Sequence, residues 1–133
     1  MHRKMIAVAL AALLAACSWH SKAPLEDVDK AAGLFYQRLA DADYDAIYKD
    51  AAKGFKEKKT REQIFESLGE LSANGKVQQY VRISTGFEGE EKDLRVAAVY
   101  ATTFEQSKGN LTLYFVDESG EWKLIGFSLK RRG

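Results

Sequence analysis

The sequence predicts an α+β domain in which three helices precede, and pack on one face of, a curved four-stranded antiparallel sheet. Three observations predict it. Apolar residues recur at helical spacing as far as Leu71, runs rich in β-branched and aromatic residues begin at Lys76, and those runs are separated by short turns containing Gly. Turns that short join antiparallel neighbours, because a parallel crossover needs a dozen or more residues. A chain of 133 residues has room for one such domain.

The first helix follows Pro24, whose fixed φ suits a first helical position, and buries Leu25, Val28, Ala31, Ala32, Phe35 and Leu39. Asp43 caps a second helix with Tyr44, Ile47, Tyr48 and Ala51 on one face, Lys49 and Lys53 near its negative end and Gly54 as the residue that stops it. Thr60-Arg61-Glu62-Gln63 is a capping box opening a third helix with Ile64, Phe65, Leu68 and Leu71, ended by Asn74-Gly75. Strands are expected at Val77–Phe87, Leu94–Glu105, Leu111–Asp117 and Trp122–Leu129. The turns between them are Gly89-Glu90-Glu91, Ser107-Lys108-Gly109-Asn110 and Glu118-Ser119-Gly120-Glu121. Phe35, Leu39, Ile47, Phe65, Leu68, Val81, Val99, Phe115 and Trp122 are expected in the core. On the second strand Val96, Ala98 and Tyr100 oppose Ala97, Val99 and Ala101, so both faces are apolar although helices cover only one.

Composition removes several function classes. With 20 Lys+Arg against 19 Asp+Glu, spread along the chain, the positive field that gathers nucleic acid is missing. One Cys forms no internal disulfide, and two His with one Cys do not make a zinc set, which excludes structural zinc and disulfide scaffolds; no motif calls for another metal or a cofactor, and none is expected. Past His20 the chain has no His, which excludes a His-based hydrolytic triad in the folded part. Asp41-Ala42-Asp43-Tyr44-Asp45 begins like a calcium loop, but Ala46 and Ala52 stand where the loop needs Gly and Glu, and a helix N-terminus explains the acids. Lys56-Glu57-Lys58-Lys59 with Arg61 reads as a solvated loop between helices, or as a weak patch for anionic headgroups.

Residues 1–16 have the layout of an export signal: His2-Arg3-Lys4, then twelve apolar residues from Met5 to Ala16, too few to span a bilayer. The run closes on Leu14-Ala15-Ala16-Cys17, which resembles the lipobox of bacterial lipoproteins. That resemblance implies cleavage before Cys17 and a diacylglycerol on its sulfur, with a further chain on the freed amine, enough for stable anchoring. Ser18, rather than Asp, implies sorting to the outer membrane, with the domain facing the periplasm. The expected organisation is therefore a signal peptide at 1–16, the lipidated Cys17 and a tether to 24, and the α+β domain at 25–133. Ser18–Ala23 reaches roughly 20 Å when extended, and it carries His20, which is expected to be exposed and inert, with no second His after the expected cleavage.

The order of elements, the helix start Asp43-Tyr44-Asp45-Ala46-Ile47-Tyr48, the segment Thr60-Arg61-Glu62-Gln63-Ile64-Phe65 and the closing Gly120-Glu121-Trp122-Lys123-Leu124-Ile125-Gly126-Phe127 resemble the nuclear transport factor 2-like, or cystatin-like, cone fold. More narrowly, they are similar to small bacterial lipoproteins of that superfamily whose domain has no known function. The resemblance covers about residues 25–130. It implies a cone-shaped cavity between sheet and helices, used by some members for catalysis and by others for ligands, and dimerisation of many members through the open sheet face. Isomerase-like members use a carboxylate base and a Tyr-containing oxyanion hole. Here Glu88, Glu105 and Asp117 all fall at strand ends, which argues against that chemistry.

Tyr36, Tyr48, Arg82, Tyr100 and Thr102 form the candidate pocket: amphipathic or polar side chains on or beside apolar stripes, suited either to core packing or to the rim of a cone. Tyr80 and Tyr114 share that character. Three functions compete. The first is a lipid-anchored, non-catalytic module that binds an envelope protein or a second copy through its sheet face. The second is a small-molecule binder using the cone, and the third an isomerase- or dehydratase-like enzyme, which requires a buried carboxylate or a strongly perturbed acid.

Overall fold

Helices come first and strands second in the computed structural model, which describes residues 25–89 and 94–132. The expected leader at 1–16, Cys17, the tether to 24 and the Glu90-Glu91 part of the first turn lie outside the described residues. Helix α1 covers residues 25–40 and buries Val28, Ala32, Phe35, Tyr36 and Leu39, a stripe at the expected spacing. It ends in a Schellman motif: Asp43 N–H donates to Arg38 O at 2.8 Å and Ala42 N–H to Leu39 O at 3.1 Å. Ala42 therefore takes the left-handed conformation, with φ 54°. Asp43 then caps α2 (Tyr44–Asp50), accepting from Ala46 N–H at 3.3 Å.

The second expected helix is two, so the described residues hold four helices instead of three. Ala51 and Ala52 are extended, with ψ 157° and 150°, and both are buried. Ala52 N–H donates 2.9 Å to Leu124 O on the last strand, and this docking onto the sheet interrupts the helix. Gly54 does not stop a helix; it lies in the first turn of α3 (Lys53–Lys58), where a Cβ would sit 3.2 Å from Ile125 Cδ1. The basic segment read as a loop at 56–59 mostly belongs to α3. Helix α4 (Arg61–Ser72) starts at the expected capping box, with Gln63 N–H on Thr60 Oγ1 at 3.1 Å and Thr60 N–H on Gln63 Oε1 at 2.9 Å.

At the end of α4 the buried Asn74 turns its Nδ2 to Leu71 O at 3.0 Å and accepts from Ser107 Oγ at 2.8 Å, tying the helix to a sheet turn. Gly75 follows with φ 91°, where a Cβ would also meet Glu105 Cβ at 2.7 Å. The four strands β1 (Val77–Glu88), β2 (Arg95–Phe104), β3 (Lys108–Glu118) and β4 (Glu121–Arg131) pair in sequence order, every neighbour antiparallel. Bulges at Gln78 and Ile83 in β1 and at Ile125 in β4 bend the two edges. The β2–β3 turn is shorter than expected, closed by Phe104 N–H to Ser107 O at 2.8 Å. Gly109 belongs to β3 rather than to a turn, and there Lys130 O would lie 2.9 Å from an added Cβ. Ser119 and Gly120, with φ 55° and 85°, make the two-residue β3–β4 hairpin.

The helices cover the sheet face that carries Val96, Ala98, Tyr100, Thr102 and Phe104 of β2 with Leu111, Leu113 and Phe115 of β3. Ile64, Leu68 and Leu71 of α4 and Phe55 of α3 complete this core. Of the residues expected there, Phe35, Leu39, Ile47, Leu68 and Phe115 are buried, whereas Phe65, Val99 and Trp122 are half-buried. Val81 is 51% exposed, a correction with a simple cause. It pairs with Ala101 on the outward face of β1, and apolar residues at both parities hide which face is inward.

Candidate functional site

Two turns of α1 separate Asp29 from Tyr36, so both face the first two strands. Alternation on β1 and β2 turns Tyr80, Arg82, Tyr100 and Thr102 toward them, and register makes Tyr80–Thr102 and Arg82–Tyr100 direct cross-strand pairs. Arg82 Nε donates to Asp29 Oδ1 at 2.9 Å and Nη2 to Oδ2 at 3.3 Å, a fork on one carboxylate. Its third arm reaches Thr85 Oγ1 at 3.0 Å. Tyr100 OH donates to the same Asp29 Oδ1 at 2.8 Å.

Thr102 is fully buried and gives its hydroxyl proton to Tyr100 O at 3.0 Å. It has one proton, so across the 2.8 Å contact with Tyr36 the donor is Tyr36 OH. Tyr36 stacks flat on Tyr80, centroids 3.9 Å apart and planes 9° apart, and meets Tyr100 edge-on at 5.9 Å. Burial holds Tyr36 and Tyr100 far above the usual tyrosine range, and for Tyr100 the Asp29 carboxylate adds to the effect. Both hydroxyls therefore stay neutral and spend their protons inside the cluster.

Four of the five candidate pocket residues thus meet: Tyr36, Arg82, Tyr100 and Thr102. Tyr48 does not join them. It lies under Lys56, whose Nζ is 5.4 Å from the ring centroid, and edge-on to Phe65 at 6.3 Å. The acid expected to be absent from the strands comes from a helix, as Asp29. Its one sequence signal is its place two turns before Tyr36, on the face whose neighbours Val28 and Ala32 are apolar. As a base it is poorly placed, being fully engaged by Arg82 and Tyr100.

Beside the cluster an open groove of about 440 Å³ runs between α1 and β1, walled by Gly33, Tyr36 and Gln37 on one side and Gln78, Gln79 and Tyr80 on the other. A second charged cluster sits at the opposite end of the sheet. Lys123 Nζ and Arg38 Nη1 reach the two oxygens of Asp50 at 2.8 and 3.1 Å, and Lys123 also meets Glu121 at 3.0 Å. The three acids of the calcium-like segment are dispersed: Asp43 caps α2, Asp45 pairs with Lys49 and Arg61, and Asp41 is exposed. Among the described residues no group of His, Cys, Asp and Glu is arranged to hold a metal ion, and no helix is long and apolar enough to cross a membrane. No protein-family model matches the chain, and no curated protein matches it.

Proposed function

We propose that this chain is a lipid-anchored protein of the bacterial envelope, held at the outer membrane and facing the periplasm, whose nuclear transport factor 2-like domain is a non-catalytic binding or assembly module. The observation that carries the reading is the position of the only Cys. It closes Leu14-Ala15-Ala16-Cys17 directly after a basic start and twelve apolar residues, where lipidation requires it. Surface recognition is favoured over the small-molecule alternative by the core, in which Ile64, Leu68, Leu111 and Leu113 are wholly buried; Phe35 and Phe115 line an open hollow of about 300 Å³. Four of the candidate pocket groups, Tyr36, Arg82, Tyr100 and Thr102, are held by partners within the cluster, leaving few polar handles there for a ligand. An isomerase- or dehydratase-like reaction needs a buried carboxylate or a strongly perturbed acid, and Asp29 is exposed and engaged by Arg82 and Tyr100. Docking of an envelope partner is assigned to the outward sheet face, where Ala97, Val99 and Ala101 are half-buried and Tyr114 is exposed.

Metabolic labelling with a radioactive fatty acid tests the anchor: label should enter the wild-type protein and not Cys17→Ser, which should also leave the membrane fraction on carbonate washing. An unlabelled wild type would reject it. Affinity isolation from envelopes then tests the module, since Ala97→Lys with Val99→Lys should release a partner that the wild type retains.

A further inference from the structure

The two edges of the sheet are unlike. At one edge β4 carries the exposed Lys130 and Arg131, charges of the kind that stop an open edge from pairing, and its Leu124 O is already taken by Ala52 N–H at 2.9 Å. At the other, β1 runs for twelve residues with Arg82 and Glu88 as its charges and neither Lys nor Pro. Arg82 is turned away from the edge, onto Asp29 and Thr85. Among the described residues, four of the six exposed large hydrophobic side chains reside on this strand: Tyr80, Val81, Ile83 and Phe87, each 40–55% exposed. Alternate backbone N–H and C=O groups of β1 point outward with no neighbouring strand among the described residues.

We infer that β1 is a self-pairing edge, joined antiparallel to β1 of a second copy about a two-fold axis normal to the sheet, so that two four-stranded sheets become one continuous sheet. The Ile83 bulge selects the register. Before it the inward residues are Tyr80 and Arg82, opposite inward Thr102 and Tyr100; after it they are Thr85 and Phe87, opposite Ala98 and Val96. The bulge switches parity, so inward side chains face inward side chains across the joint when the axis passes between two residues. With the axis between Ile83 and Ser84, Tyr80 comes opposite Phe87 of the second copy, Arg82 opposite Thr85 and Val81 opposite Gly86. By symmetry the Tyr–Phe pair forms twice, a cross-strand aromatic contact on the helix side of the sheet.

A second copy fits this edge better than a foreign strand because β1 supplies both members of that pair. With one cation and one anion, it also raises no net repulsion against itself. The joint leaves the outward sheet face free for a different partner, and it does not depend on the lipid anchor.

Sedimentation equilibrium of the full chain in mild detergent should show a dimer in the micromolar range. Val81→Lys with Ile83→Lys, at exposed positions, should weaken it by about tenfold or more with an unchanged circular dichroism spectrum, whereas Ala97→Lys with Val99→Lys on the sheet face should not. Independently of those variants, Tyr80→Cys with Phe87→Cys should link two copies on mild oxidation, and Tyr80→Cys with Tyr114→Cys should not. A strictly monomeric chain, a dimer indifferent to the edge lysines, a dimer lost with the face lysines, no link through the cysteines, or a different protein seated on β1 would each overturn the inference.

Discussion

Asp29 on α1 and Arg82 on β1 meet as a fork, both carboxylate oxygens accepting from one guanidinium at 2.9 and 3.3 Å, although 53 positions separate them in sequence. Tyr100 joins the same carboxylate from the neighbouring strand, so one helical residue ties α1 to β1 and β2 together. Both partners are partly open to solvent, which screens the ion pair, and the hydrogen bond from the more buried Tyr100 carries more of the effect. Asp29→Ala should therefore destabilise the fold by about 1–2 kcal/mol in urea titrations. Arg82→Ala should cost less than Asp29→Ala, because it spares the tyrosine's acceptor. Equal losses would mean that the ion pair, rather than Tyr100, dominates.

Ala42 holds a left-handed backbone, φ 54°, so that the Schellman motif can close α1 and Asp43 can open α2. An L-residue with a Cβ pays roughly 1 kcal/mol for that conformation, and Gly is the usual occupant. Ala42→Gly removes the strain but gives the unfolded chain more freedom, which offsets part of the gain. The expected net result is about 0.5 kcal/mol of added stability, read as a higher urea midpoint at unchanged slope. A destabilised glycine variant would show that the turn is held by contacts of the alanine methyl.

Asp50 contributes to the response to acid. Burial pushes its carboxyl up, but the donors Lys123 and Arg38 outweigh burial and hold it below the ordinary value of 3.8. A depressed folded value contributes stability at pH above the unfolded value, lost as pH falls through the folded one. Stability should accordingly drop on acidification below about pH 4 and do so less steeply in Asp50→Asn. Identical acid limbs in the two proteins, measured by urea midpoints at successive pH, would assign the acid sensitivity to other carboxylates.

At the alkaline end the signs reverse. Tyr36 and Tyr100 have raised folded values, so their contribution is complete below the unfolded value of 10.0 and is lost as pH rises beyond it. In a spectrophotometric titration these two of the six tyrosines should ionise only as the circular dichroism signal of the fold disappears. Tyr36→Phe with Tyr100→Phe should remove that late component. Ionisation of all six before any loss of structure would contradict the burial that holds them neutral.

What short-range chemistry decides was legible in the sequence. The Thr60–Gln63 box, the Asp43 cap, the Gly75 stop and the α1 stripe each depend on residues within a turn or two, and each is present. What distant backbone decides was not. Nothing near Ala51-Ala52 announces that Leu124 O will capture Ala52 N–H and divide the helix. Gly109 looks like a turn glycine until Lys130 O is seen to crowd it. The strand pattern of β1 leaves Val81 and Arg82 interchangeable as inward residues until register with Ala101 and Tyr100 separates them. The candidate site suffered the same way: amphipathic tyrosines were recognisable one by one, but Asp29, which ties two of the members together, is an exposed acid on a helix until Arg82 and Tyr100 arrive.

The chain of hydroxyls from Tyr36 to Thr102 to the Tyr100 carbonyl offers the sharpest test of the cluster, because it is buried and its proton order is determined. Thr102→Val keeps the shape of a fully buried side chain but leaves the Tyr36 proton with no acceptor. A buried donor left unpaired costs about 1–3 kcal/mol. Tyr36→Phe alone should cost less, since Thr102 keeps its own acceptor in Tyr100 O and loses only an incoming proton. In the double variant no buried donor is stranded, so it should be more stable than Thr102→Val by about 1 kcal/mol. Two single losses that simply add in urea titrations would mean that the 2.8 Å contact contributes nothing beyond packing.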